Sequence, residues 1–160
     1  MRRAFAVLAL LLFLPGSVFA NERRFRATLI GYQEAPAIVS EATGSVKLTI
    51  SKDETSIDYV LNYSGFDSTV LQSHIHIGQL SVNGGVSAFF CGGPKPACPQ
   101  DTTGAPVTGT ITAADVLGPA AQGVPAGQLD LLIQALRAGV TYANVHTANH
   151  PGGEIRGQLK

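Results

Sequence analysis

The 160-residue chain has four histidines, and three of them form a pattern that can do chemistry. His74 and His76 stand two apart in "SHIHIG" (73–78), and His146 lies in "TYANVHT" (141–147). His150 follows in the turn-rich "ANHPGG". On a strand, residues two apart share a face, with Cβ atoms roughly 6.5–7 Å from one another. Such a pair, joined by a remote third histidine, offers three neutral imidazoles to one ion, copper preferred and zinc second. His150, Asn144, Glu154 and Arg156 are candidates for a further ligand or for groups that orient the ligands. The same residues also permit a plainer arrangement. His74 and His76 can hydrogen-bond Glu154 or Asn144 across the sheet with no metal present. Glu154 and Arg156, on one strand face, suit pairing with neighbouring strands.

Other chemistries find less support. Cys91 and Cys98 in "CGGPKPAC" suit one small disulfide loop in an oxidising compartment. A zinc half-site is the alternative, but no second cysteine pair exists to complete it. "NGG" (83–85) and "PGG" (151–153) lead into no helix, so they are turns and not phosphate cradles. No G-x-S-x-G elbow is present, and no constellation supports a hydrolytic enzyme.

Positioning these residues requires strands. "FRATLIG", "SVKLTI" and "SIDYVLNY" alternate apolar residues with a period of two, which predicts half-buried strands at 25–31, 45–50 and 56–63. Tyr59 and Tyr63 fall on the inward side, and the polar "KDET" makes the second and third strands a hairpin. "QSHIHIG", "GVSAFFC", "VTGTIT", "TYANVHT" and "GEIRGQL" complete about eight strands. In "TYANVHT", Ala143 and Val145 are expected inward, with Tyr142, Asn144 and His146 on the opposite face. The last two strands should pair across "ANHPGG", leaving open whether the strand with His74 and His76 lies beside them.

One segment breaks the alternation. In "GQLDLLIQALRAG", Leu129, Leu132, Ile133 and Leu136 form a helical stripe, closed by Arg137 and Gly139. A short helical turn is expected after Thr112, where T-A-A-D has the form of a capping box. The predicted architecture is therefore all-β: an antiparallel Greek-key or immunoglobulin-like β-sandwich with one short connecting helix.

Residues 1–20 stand apart from this fold. Arg2 and Arg3 precede a short apolar run, and small residues end at Ala20, the pattern of a cleaved secretory signal. The expected product is a single domain over residues 21–160, exported to the periplasm or beyond the cell. No later apolar run approaches the ~20 residues that span a bilayer. Lys plus Arg and Asp plus Glu number 11 each; without Arg2 and Arg3 the balance is nine against eleven, a net charge of −2. That charge argues against a nucleic-acid partner.

"SHIHIGQLSVNGGVSAFFCGG" with "ALRAGVTYANVHTANHPGGEIRGQL" resembles the CHRD domain, and the likeness extends from "FRATLIGYQEAPAIVSEATGSVKL" to Leu159. The module takes its name from repeats in chordin, a secreted antagonist of growth-factor signalling, and also occurs singly in exported bacterial proteins. The resemblance implies an extracellular all-β domain. It carries over His74, His76, Gly78, Asn144, His146, Pro151, Gly153, Glu154, Arg156 and Gly157 as motif residues, and leaves His150 outside. Two functions follow as expectations. One is an exported domain holding copper or zinc on a histidine cluster. The other is a non-catalytic module that binds a protein or envelope partner, with structural histidines and contacts at residues 91–98 and 117–127.

Overall fold

A computed structural model describes residues 22–160, so the signal read at residues 1–20 and the start of the domain at Asn21 lie outside the described residues. The strands are β1 (Arg24–Ile30), β2 (Thr43–Ile50), β3 (Ile57–Ser64), β4 (Val70–Ile77), β5 (Gly85–Cys91), β6 (Val107–Ile111), β7 (Thr141–Thr147) and β8 (Ile155–Gln158), with one helix, α1 (Leu129–Arg137), before β7. All pair antiparallel in one sheet ordered β5-β4-β7-β8-β1-β2-β3-β6. The all-β class with a single short helix is as the alternation predicts.

The sheet curls until its two ends nearly meet. Tyr59 on β3 lies 5.0 Å, centroid to centroid, from Phe90 on β5, and its hydroxyl donates to the Phe90 carbonyl at 2.8 Å. Beyond β5 the Cys91–Cys98 disulfide forms the expected loop, and Tyr63 donates from its hydroxyl to the Pro99 carbonyl at 2.6 Å. Lys95 in that loop pairs with Asp115 at 2.7 Å. The segment after β5 thus bridges the gap between the sheet's ends. A flattened barrel and a sandwich are both descriptions of such a curl.

The inward residues form one apolar cluster. Leu29, Val46, Leu48, Ile57, Leu61, Ile75, Val145 and Ile155 are all fully buried in it. Each aliphatic side chain so buried contributes about 1.5–3 kcal/mol relative to exposure. Helix α1 adds Leu129, Leu132, Ile133 and Leu136, the predicted stripe. Gly139 ends it in the left-handed region (φ 69°), donating to the Leu136 carbonyl. The expected turn after Thr112 is a 3₁₀ segment, Ala113–Asp115, in which the Asp115 carboxylate accepts from the Thr112 amide at 2.8 Å. No helix among the described residues is long and apolar enough to cross a membrane.

Strands β4 and β7 depart from the half-buried expectation. Every residue of β7 and the run from Ser73 to Ile77 on β4 are buried, on both faces. Three loops lie over the outer face and cause this. Asn83 donates to the Ala35 carbonyl, and Arg156 reaches both the Gln33 carbonyl and the Asn83 side chain, tying residues 31–42 to residues 78–84. Ser40 donates to Glu154 at 2.6 Å, tying the first of these loops to the β7–β8 turn. The domain therefore has a second, polar interior.

Candidate metal centre

The topology resolves the open neighbour relation: β4 pairs with β7, and β7 with β8. His74 stands opposite Asn144, His76 opposite Tyr142, and His146 opposite Gln72. Alternation then puts the three imidazoles on the outer face, while Ile75, Ala143 and Val145 enter the apolar core. The His74 ring lies 4.5 Å from that of His76 and 4.4 Å from that of His146, with 6.1 Å between the outer two. One ring nitrogen from each histidine lies within 4.8 Å of the others. The three residues are only 1%, 8% and 6% exposed for His74, His76 and His146.

The hydrogen bonds show which ring nitrogens of His76 and His146 are left free. His76 Nδ1 meets the Gly84 carbonyl at 2.9 Å, and His146 Nδ1 meets the Pro151 carbonyl at 2.9 Å. A carbonyl can only accept, so both Nδ1 atoms carry the proton and each Nε2 keeps a free lone pair. His76 Nε2, His146 Nε2 and His74 Nδ1 are buried with no protein partner. They make up half of the six such side-chain atoms among the described residues. A buried polar atom left in this way costs about 1–3 kcal/mol. Three in one place is a concentrated expense that packing alone does not explain.

Burial holds all three rings neutral. Desolvation lowers His74 to about 2, helped by the fields of His146 and His76. Desolvation lowers His76 to about 4 against the opposing Gly84 hydrogen bond, and it lowers His146 against the bond to Pro151. Neutral imidazole is the form that ligates metals.

Aromatic rings and a cation frame the cluster. Phe89 on β5 meets His74 edge-on at 4.8 Å, and Tyr142 stacks on His76 at 4.6 Å with the planes 5° apart. The Arg156 guanidinium lies 4.6 Å over the far partner of that stack, the Tyr142 ring. Gly84 is required here. A Cβ at this position would collide with the Ile77 carbonyl, so only glycine brings its own carbonyl down onto His76.

The other candidates take different places. Neither Glu154 nor Asn144 bonds a histidine: the Glu154 carboxylate accepts from Ser40 and from Thr147 at 2.5 Å, and Asn144 donates to Glu34. The cross-strand bonds of the plainer arrangement are therefore not formed. Arg156 acts through Tyr142 as described, and His150 lies outside the cluster, lining a cleft of about 370 Å³ with Glu34, Asn83 and Pro151. Sequence reasoning missed Glu34. It is a buried carboxyl that desolvation raises to about 7, against the pull of Arg156 and its Asn144 hydrogen bond. Gly153 (φ 124°) makes room for that pair, since a Cβ there would lie 2.8 Å from Glu34 Oε1 and press on the Asn144 amide.

Imidazole nitrogens bound to zinc or copper at about 2.0–2.1 Å stand roughly 3.3–3.5 Å apart. One nitrogen from each ring lies within 4.8 Å of the others, so a contraction of up to about 1.5 Å would bring them to that spacing. Nδ1 of His76 and Nδ1 of His146 already donate to backbone carbonyls, the arrangement that fixes the tautomer in metal sites. The donor set fits a single transition-metal ion. No curated protein and no solved structure gives a significant match to this chain. The family model for the CHRD domain matches residues 25–159, histidine strands, loops and disulfide included, and the chain belongs to the CHRD domain family.

Proposed function

We propose that this CHRD domain is an exported metal-holding module that takes one transition-metal ion on His74 Nδ1, His76 Nε2 and His146 Nε2, copper before zinc. The carrying observation is the trio of buried, neutral ring nitrogens without protein partners, converging from two adjacent strands. Copper is favoured because it heads the affinity order of divalent ions for nitrogen ligands. The loops over the site favour holding or handing on an ion above turning over a substrate. Export accords with the leader-like residues 1–20, the disulfide and the extracellular character of the family. The test is metal content by mass spectrometry on untagged protein exported through its own leader and purified without chelator. The expected result is near-stoichiometric copper or zinc that disappears in His74→Ala, His76→Ala and His146→Ala. Metal-free protein that takes up neither ion on titration would refute it.

A second reading, recognition of a protein or envelope partner, draws on exposed apolar side chains in the covering loops: Tyr32, Val39, Leu80 and Val82. Substituting these four by serine would abolish capture of such a partner and leave metal content unchanged.

A further inference from the structure

Any ion at the triad enters an unusual charge environment. The three ligands are neutral, and no carboxylate belongs to the cluster. Both buried carboxyls in the neighbourhood are engaged elsewhere, Glu34 with Asn144 and Glu154 with Ser40 and Thr147. Hydrogen bonds from neutral groups leave a carboxylate its charge, and Glu34 is drawn to the Arg156 guanidinium, which also bears on His76. The Arg156 guanidinium stacks on Tyr142, which lies flat on the ligand ring of His76, and two further bonds fix it there, to the Gln33 carbonyl and Asn83. The ion and its three ligands therefore carry the charge of the ion itself, buried near an Arg156 cation that Glu34 offsets only in part.

Two physical consequences favour low charge. The cost of burying an ion grows with the square of its charge, so a doubly charged ion costs about four times as much as a singly charged one. Repulsion by Arg156, offset in part by Glu34, also grows with the ion's charge. Coordination number points the same way. On three histidines zinc needs a fourth ligand such as water, whereas closed-shell monovalent copper accepts three. Three nitrogens with Phe89 edge-on to His74 and Tyr142 over His76 present an aromatic, trigonal setting.

We infer that the triad selects by oxidation state, binding monovalent copper in preference to divalent copper and to zinc, with Arg156 as the residue that enforces the discrimination. This rests on the triad being a metal site, and the two ideas fail separately. The experiment uses the mature exported protein. Monovalent copper is titrated anaerobically, with reductant, against a chromogenic chelator; divalent copper and zinc are titrated against their own competing chelators. The expected result is one monovalent copper per chain, held at least 100-fold more tightly than either divalent ion. Zinc or divalent copper bound as tightly as monovalent copper, or more so, overturns the inference while leaving the metal site standing. No binding of any of the three ions overturns both. In Arg156→Gln, shown to be folded by circular dichroism, the preference should narrow at least tenfold. An unchanged ratio in that folded variant overturns the part given to Arg156.

Discussion

The two interiors of this domain share strands but not their chemistry. On β4, β7 and β8, inward residues such as Ile75, Val145 and Ile155 join an apolar core, while His74, His76, His146 and Arg156 fill a polar space beneath three loops. The apolar core is complete as it stands, because burial itself supplies its stability. The polar one is not. Arg156 bonds the Gln33 carbonyl and Asn83, and Asn144 donates to Glu34, but three imidazole nitrogens, like Asn144 Oδ1, find no partner. A polar interior that keeps such atoms has given up stability that an apolar replacement would recover, and stability is commonly given up at functional sites. We propose structure for one face and ligand binding for the other.

Acid should break the comparison most strongly. All three histidines have folded-state pKa values below the ordinary 6.5, so the unfolded chain binds more protons in mild acid. Stability of the metal-free protein is then fully present above about pH 6.5 and falls as pH drops towards 4. Glu34 acts in the opposite sense: raised to about 7, its contribution is present below its unfolded value and fades as pH rises through neutrality. Three groups outweigh one, so urea midpoints should fall steadily from pH 6.5 to 5, and by at least as much in metal-saturated protein, whose midpoints lie higher throughout. A flat profile would mean that the rings are not buried and neutral.

The apolar face gives the next largest effect. Ile155→Ala, at a fully buried position, should cost about 2–5 kcal/mol in denaturant titrations and still leave one metal site in the folded fraction. Loss of metal without loss of stability would reverse the roles of the two faces. Metal at 100 times its dissociation constant should add about 2.7 kcal/mol to the wild type and nothing to a triad variant. The smallest effect has the most telling sign. In His74→Leu a buried nitrogen without a partner gives way to an apolar group, so the metal-free protein should gain about 1 kcal/mol while metal uptake is lost. A destabilised metal-free variant would favour a structural histidine.

Much of this arrangement is legible in the sequence because strands impose a period of two. The alternation of "FRATLIG", "SVKLTI" and "SIDYVLNY" marks the buried residues of β1, β2 and β3, and the stripe from Leu129 to Leu136 marks α1. It also puts His74 with His76 and Asn144 with His146, each pair on one face. Alternation does not say which strands are neighbours, so pairing of β4 with β7 had to come from the structure. Nor does it reveal burial of the polar face, which depends on loops with no period. Glu34 sits in such a loop, beside a 3₁₀ turn at Gly31–Gln33, and no spacing connects it with Asn144, 110 residues away. The carbonyls of Gly84 and Pro151, which set the histidine tautomers, belong to the backbone and leave no residue-type signal. Their trace is indirect, in glycines such as Gly84 where a side chain would collide.

X-ray absorption at the copper edge of loaded, untagged protein reads the ligand shell itself. A shell of three imidazole nitrogens at about 2.0 Å is expected, with the multiple-scattering pattern of histidine rings, and it should be lost in His74→Leu. A shell dominated by oxygen or sulfur, or a spectrum unchanged in that variant, would place the metal elsewhere and leave the three histidines without the role assigned to them.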